Sequence, residues 1–192
     1  MSLIPAFEIG VWNAWIFIVP YLLMNFALPF LVINRKSTFW AWPSYARLER
    51  TYLLAGMVFM GSMWIYSIFL PLNLGTAWFY VGLAVYLVGW AFLISAMLVF
   101  TTSSVDKPNT TGIYRISRHP WYIGMLLLYI GTGIASASWI YILVSLLLLA
   151  MYRSAYMIPE ERMCCQKFGD AYREYMNRTP RWVGMPKAEG TD

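Results

Sequence analysis

The residues of this chain best equipped for chemistry gather in one stretch and one short outpost. The stretch is GIYRISRHPWYIG, 112–124, holding Tyr114, Arg115, Arg118, Tyr122 and the single histidine, His119. The outpost follows an apolar block and supplies Arg153, Tyr156, Glu160 and Glu161. Guanidinium, imidazole, phenol and carboxylate together suit a polar small molecule carrying both signs of charge. Such groups are costly near a bilayer unless they meet solvent, a partner or a ligand. Each also has a plainer use. Arg115 and Arg118 could hold lipid phosphates, Trp121 and Tyr122 could belong to an interfacial belt, and His119 could cap a helix. Glu160 and Glu161 could be helix-start charges.

The rest of the sequence says where these groups sit. Of 192 residues, 60% are hydrophobic and 12% charged, and the mean hydropathy is +0.56. A soluble domain carries about 25% charged residues, so the composition points to a helical membrane protein of one domain. The net charge of +5 is distributed as for a membrane surface rather than for nucleic acid. Apolar runs cover 11–33, 51–70 and 78–100, and a longer apolar block covers 121–158. That block exceeds one bilayer crossing, and its small-residue stretch GTGIASAS, 131–138, offers a turn midway. The stretch begins like a dinucleotide-binding pattern, but no strand precedes it, which excludes that use. Gly82 and Gly89 lie seven residues apart and are expected to be ordinary packing glycines.

Pro159 is expected to begin a new, amphipathic helix with Cys164, Phe168, Tyr172 and Tyr175 on one face, ending at Pro180. A disordered tail, 183–192, would follow. Adjacent Cys164 and Cys165 fit reduced thiols; no metal site or disulfide is expected, and no removable leader. All 14 Lys and Arg residues fall in or beside 34–50, 101–120 and 153–192. Five crossings would put those three segments on one side, the cytoplasm, with the N-terminus outside. Phe39, Trp40, Trp42 and Tyr45 would form an interfacial belt. The expected architecture is therefore all-α and polytopic, with five transmembrane helices and a C-terminal amphipathic helix. Three N-terminal spans (11–100) would precede a loop, hairpin and final helix (101–182).

RHPWYIG, then an apolar hairpin, EER, FGDAYREY and TPRW resemble the isoprenylcysteine carboxyl methyltransferase family, within a wider group of phospholipid methyltransferases. The resemblance covers 112–182. It implies a membrane-embedded enzyme using S-adenosylmethionine, with Tyr114, His119, Pro120, Trp121 and Tyr122 lining the cofactor pocket. Glu160 would bind the cofactor from the far end of the hairpin, and Asp106, Lys107, Pro108 and Asn109 would lie along it. Family members often have His-x-Leu-Val at this last position, so this chain departs there. They also commonly carry an arginine four residues before the first glutamate, to hold a substrate carboxylate. Here that position is Tyr156, and Arg153 stands three residues earlier.

The resemblance implies methylation of a prenylated cysteine carboxylate or similar lipid-like substrate, with a phospholipid amine as the alternative acceptor. The site would face the cytoplasm of what the small size suggests is a prokaryotic cell membrane. Two rivals remain. Sterol-type NADPH reductases share RHPxYxG-like and RTPR-like motifs, and a non-catalytic membrane protein could retain a degenerate pocket.

Overall fold

The computed structural model describes residues 8–32, 43–104 and 106–184. Phe39, Trp40 and Trp42 of the expected belt, and residues 185–192 of the expected tail, lie outside that range. The regular elements of the described residues are helical, apart from one isolated bridge between Asn13 and Pro71: α1 (Trp15–Val32), α2 (Arg47–Ile68), α3 (Ala77–Thr102), a 3-10 turn (Gly112–Arg115), α4 (Pro120–Ala135), α5 (Trp139–Tyr152), a π turn (Arg153–Met157), α6 (Ile158–Phe168) and α7 (Asp170–Arg178).

Among the described residues, three helices are long and apolar enough to cross a membrane: Arg47–Ile68, Ala77–Thr102 and the continuous helix Trp139–Phe168. Shorter apolar helices run from Trp15 to Asn25 and from Pro120 to Ala135. The uncharged connections sit together at one end, where the Asn73 amide donates to the Ala135 carbonyl at 3.0 Å. Residues before α1 join them there, with the Ala14 amide bonded to the Leu70 carbonyl at 2.8 Å. The charged segments gather at the other end, as the ion pairs described below establish.

Local sequence accounts for the helix starts. Thr76 and Ser138 accept from the amides of Phe79 and Tyr141, satisfying donors that a first helical turn leaves open. Glu49 reaches back to the Ala46 amide at 2.8 Å and closes the start of α2. Proline occupies the first position of α4, where its missing N–H costs nothing.

The hairpin turns within 131–138, as expected: α4 continues to Ala135, and the chain reverses over Ser136–Ser138, with Ala137 at φ 51°. Two expectations need correction. Gly82 and Gly89 are more than ordinary packing residues. A Cβ on Gly82 would lie 2.3 Å from the Ala135 nitrogen, and one on Gly89 would lie 2.8 Å from the Leu128 nitrogen. Gly124 and Gly131 face them from α4, so two pairs of glycines at heptad spacing bring the backbones of α3 and α4 into contact.

The second correction concerns Pro159. It lies in the first turn of α6 as expected, but it starts no separate helix. The chain runs unbroken from Trp139 to Phe168. A proline inside a helix lacks its own donor and crowds the carbonyl four residues back. The π turn just before it absorbs this, with the Ile158 amide reaching back five residues to the Arg153 carbonyl.

Candidate functional site

Two successive glutamates on α6 take different environments, and this difference defines the site. Glu161 is buried and fully engaged. His119 Nε2 lies 3.0 Å from its Oε1, Arg118 Nη1 lies 3.2 Å from the same oxygen, and Arg181 donates to both oxygens at 3.1 and 2.6 Å. Glu160 accepts from the Tyr122 hydroxyl at 2.6 Å and lies 3.7 Å from His119 Nδ1. Protein surrounds it densely, yet 37% of its side-chain surface stays open, against 9% for Glu161. A carboxylate so enclosed and yet accessible is open to a ligand, as Glu161 is not.

His119 thus bridges the two carboxylates from the N-cap of α4, its amide held by Ser117 Oγ at 3.1 Å. The C-terminal strap fixes the preceding loop. The Arg118 amide donates to the Pro180 carbonyl and the Gly184 amide to the Ile116 carbonyl, both at 3.0 Å. Ser117 Oγ donates to the Arg181 carbonyl at 3.2 Å. The hydrogen bonds to Glu161 raise the Arg181 guanidinium pKa above its ordinary value. Arg181→Ala should therefore loosen the strap, costing about 1–2 kcal/mol once the 26% exposure of Arg181 is allowed for. Thermal melting in detergent and limited proteolysis beyond Arg178 would read it; an unchanged melting curve and digest would refute the strap's role.

Aromatic rings wall the open glutamate. The Tyr122 ring lies 6.0 Å from Tyr156 and 5.9 Å from Tyr152, and those two lie 5.2 Å apart. Tyr114 is half-buried on the 3-10 turn, its carbonyl accepting from the Tyr175 hydroxyl at 2.7 Å. Burial first, then the Glu160 charge, pushes the Tyr114 phenol above its ordinary pKa and keeps it neutral. Pro120 is fully buried, and Trp121 is half-buried against the core.

The structure thus brings His119, Tyr122, Tyr156 and Glu160 together, with Tyr114 in reach of the same charge. It does not join the others to them. Asp106 and Lys107 are exposed, Pro108 and Asn109 half-buried, and none shares a described hydrogen bond or ion pair with Glu160. Arg153 is exposed, with no side-chain partner among the described residues. The π turn explains its direction. In a regular helix, residues seven apart differ by only about 20° in direction, so Arg153 would share the face of Glu160. One extra residue in the turn rotates it away by about 100°, and the buried Tyr152 takes that face instead.

Sequence reasoning missed one neighbour. Tyr45, assigned above to an interfacial belt, is half-buried and within electrostatic reach of Glu160. Burial, reinforced by the carboxylates of Glu160 and Glu49, pushes its phenol above the ordinary value. Arg162 holds the segment there, donating to Glu49 at 3.0 and 2.8 Å and to the Ser44 carbonyl at 2.6 Å. No local pattern marks Tyr45; only the cross-chain ion pair reveals it.

A comparison with known protein families falls on the same region. Residues 99–171, which include His119, Tyr122 and both glutamates, match the model of the phospholipid methyltransferase family. The chain is also 30% identical over 76 residues to the protein-S-isoprenylcysteine O-methyltransferase of Schizosaccharomyces pombe. The match covers 40% of this chain and 32% of that relative, so the chain spans about a third of the relative's length. The family resemblance read from RHPWYIG and EER is thereby supported from two sides. Tyr45 lies outside the matched segment, and Arg181 lies just beyond it.

Proposed function

We propose that this chain is a membrane methyltransferase that takes a methyl group from S-adenosylmethionine and places it on a lipid-embedded acceptor. The observation that carries the reading is the convergence of Tyr122 and His119 on Glu160, 2.6 and 3.7 Å away, within the segment that matches the phospholipid methyltransferase model. The residues fit the cofactor. An accessible carboxylate suits an ammonium or a ribose diol, and phenol rings suit adenine and a nearby cation. When bound, S-adenosylmethionine supplies a methyl group activated by an adjacent sulfonium charge.

The protein's part in such a displacement is alignment and exclusion of water. Glu160 and Tyr122 would orient the cofactor, and Tyr114 and Tyr156 would close the sides. Glu161 would hold His119 in place through Nε2. The five-crossing topology, with the charged end and the site at the cytoplasmic face, belongs to the same proposal. The acceptor's tail would then lie among the helices, with its head at Glu160.

Two acceptor chemistries fit a lipid substrate. A prenylated cysteine carboxylate draws on the name of the S. pombe relative and needs a cation to hold it. Arg118 and Arg181 are engaged by Glu161, and Arg162 by Glu49, so that role would fall to Arg115 or to an Arg153 turned inward. A phospholipid amine needs no such cation, and the anionic, aromatic surroundings of Glu160 favour it. An ammonium must shed a proton before its lone pair attacks, and Glu160, backed by His119, is placed to take it. Nanodisc-embedded protein supplied with labelled S-adenosylmethionine should methylate phosphatidylethanolamine at least about tenfold faster than a farnesylcysteine. The reverse preference would assign the carboxylate, and label in neither would refute the proposed function.

A further inference from the structure

The helix that carries Glu160 also has an exposed apolar stripe, and one charge stands on it. Ile140, Leu143, Leu146 and Leu147 are exposed along α5, and Ile158 resumes the stripe at the start of α6. Between them stands Arg153, exposed and with no side-chain partner among the described residues. The π turn sets this direction, with the Ile158 amide bonded to the Arg153 carbonyl. Packing holds it: Tyr152 is buried in its place, its hydroxyl donating to the Met60 sulfur on α2 at 3.0 Å.

Depth gives the guanidinium a task. Arg153 lies inside the apolar helix Trp139–Phe168. At 1.5 Å per residue it is about 21 Å from Trp139, short of the roughly 30 Å of a hydrocarbon core. A cation at that level is costly unless its side chain climbs to the headgroups and meets an anion there. A phosphodiester is the best match, since the planar fork of an arginine binds two phosphate oxygens at once. Glu160 follows about 10 Å further along the same axis, on the adjoining face. Midway, the Tyr156 ring lies 6.0 Å from that of Tyr122, whose hydroxyl donates to Glu160. One helix thus presents a cation to the exposed side and an accessible carboxylate to the site.

We propose that Arg153 holds the phosphate of a zwitterionic phospholipid acceptor and thereby presents its ammonium to Glu160. The two charges of such a headgroup are separated by two carbons and meet opposite charges in the same order along the helix. The inference rests on the methyltransferase reading and narrows its acceptor to a lipid carrying both phosphate and amine. Arg153 is then a specificity-determining residue that binds the acceptor without touching the reacting nitrogen.

The test uses dodecyl maltoside micelles, where the acceptor brings the only lipid phosphate. The full chain is given labelled S-adenosylmethionine with dioleoyl phosphatidylethanolamine or with dioleoyl-aminopropane, which has the same tails and an amine but no phosphate. Arg153→Gln should raise the Michaelis constant for phosphatidylethanolamine about tenfold at unchanged kcat, while leaving the preference among phosphate-free amines to the wild-type value. Arg153→Lys keeps the charge and should recover most of the loss. Affinity for S-adenosylhomocysteine and the melting temperature should hold in both variants, because Arg153 touches neither the core nor Glu160. No rise for phosphatidylethanolamine, or an equal rise for both acceptors, would overturn the phosphate contact. A wild type that binds S-adenosylhomocysteine yet methylates neither amine would overturn it as well. Absence of S-adenosylhomocysteine binding would instead overturn the methyltransferase reading beneath it.

Discussion

Glu160→Gln is expected to weaken S-adenosylhomocysteine binding about 100-fold while leaving the helices intact. The carboxylate is enclosed yet open over 37% of its side chain, and its protein partners are Tyr122 and, at longer range, His119. A charge-assisted hydrogen bond in such a setting is worth about 1.5–3 kcal/mol, the upper end of which corresponds to the expected loss. The amide keeps the shape and can still accept from Tyr122, so melting should shift little. Glu161→Gln makes the contrast. It removes a charge that three cationic or donor groups share, so it should destabilise the fold as well as the site. Equal effects of the two variants on binding and melting would mean that the two glutamates are not divided between ligand and scaffold.

Gly82→Ala carries the largest expected cost to stability. Its Cβ would lie 2.3 Å from the Ala135 nitrogen and 2.6 Å from the Gly131 carbonyl oxygen, both backbone atoms that cannot swing aside. The helices would have to separate, losing contact along the seam that Gly89, Gly124 and Gly131 also line. Overpacking of this kind costs up to about 3 kcal/mol, which lowers the melting temperature on the order of 10 °C for a chain of this size. Gly61→Ala on α2 is the control, since nothing lies within 4 Å of its Cβ position. A melting temperature for Gly82→Ala matching that control would refute the close seam. Because α4 carries His119 and Tyr122 at its start, loss of the seam should also reduce cofactor binding.

Much of this arrangement could be read from the sequence. Hydropathy and the placement of basic residues gave the helical, membrane-type architecture, and the long apolar helices follow those runs. The family resemblance rested on side chains near each other in sequence or at the two ends of one hairpin, and the structure brings His119, Tyr122 and Glu160 together. What escaped depended on distant partners. Pro159 suggests a break to any local rule, and only the preceding π turn lets the helix run on. That one extra residue also turns Arg153 outward and Tyr152 inward, a rotation no spacing rule could supply. Gly82 and Gly89 looked like ordinary packing glycines because the matching pair on α4 is visible only once the hairpin is folded. Tyr45 looked like a belt residue because Arg162, which seats it, is more than a hundred positions away.

Calorimetric titration of the detergent-purified protein with S-adenosylhomocysteine, with NADPH in parallel, tests the central claim most directly. The account predicts saturable binding of S-adenosylhomocysteine that is lost in Glu160→Gln, and no binding of NADPH. Binding of NADPH alone, in a folded sample, would contradict it and move the chain to the sterol-type reductases, whose RHPxYxG-like motif its sequence resembles.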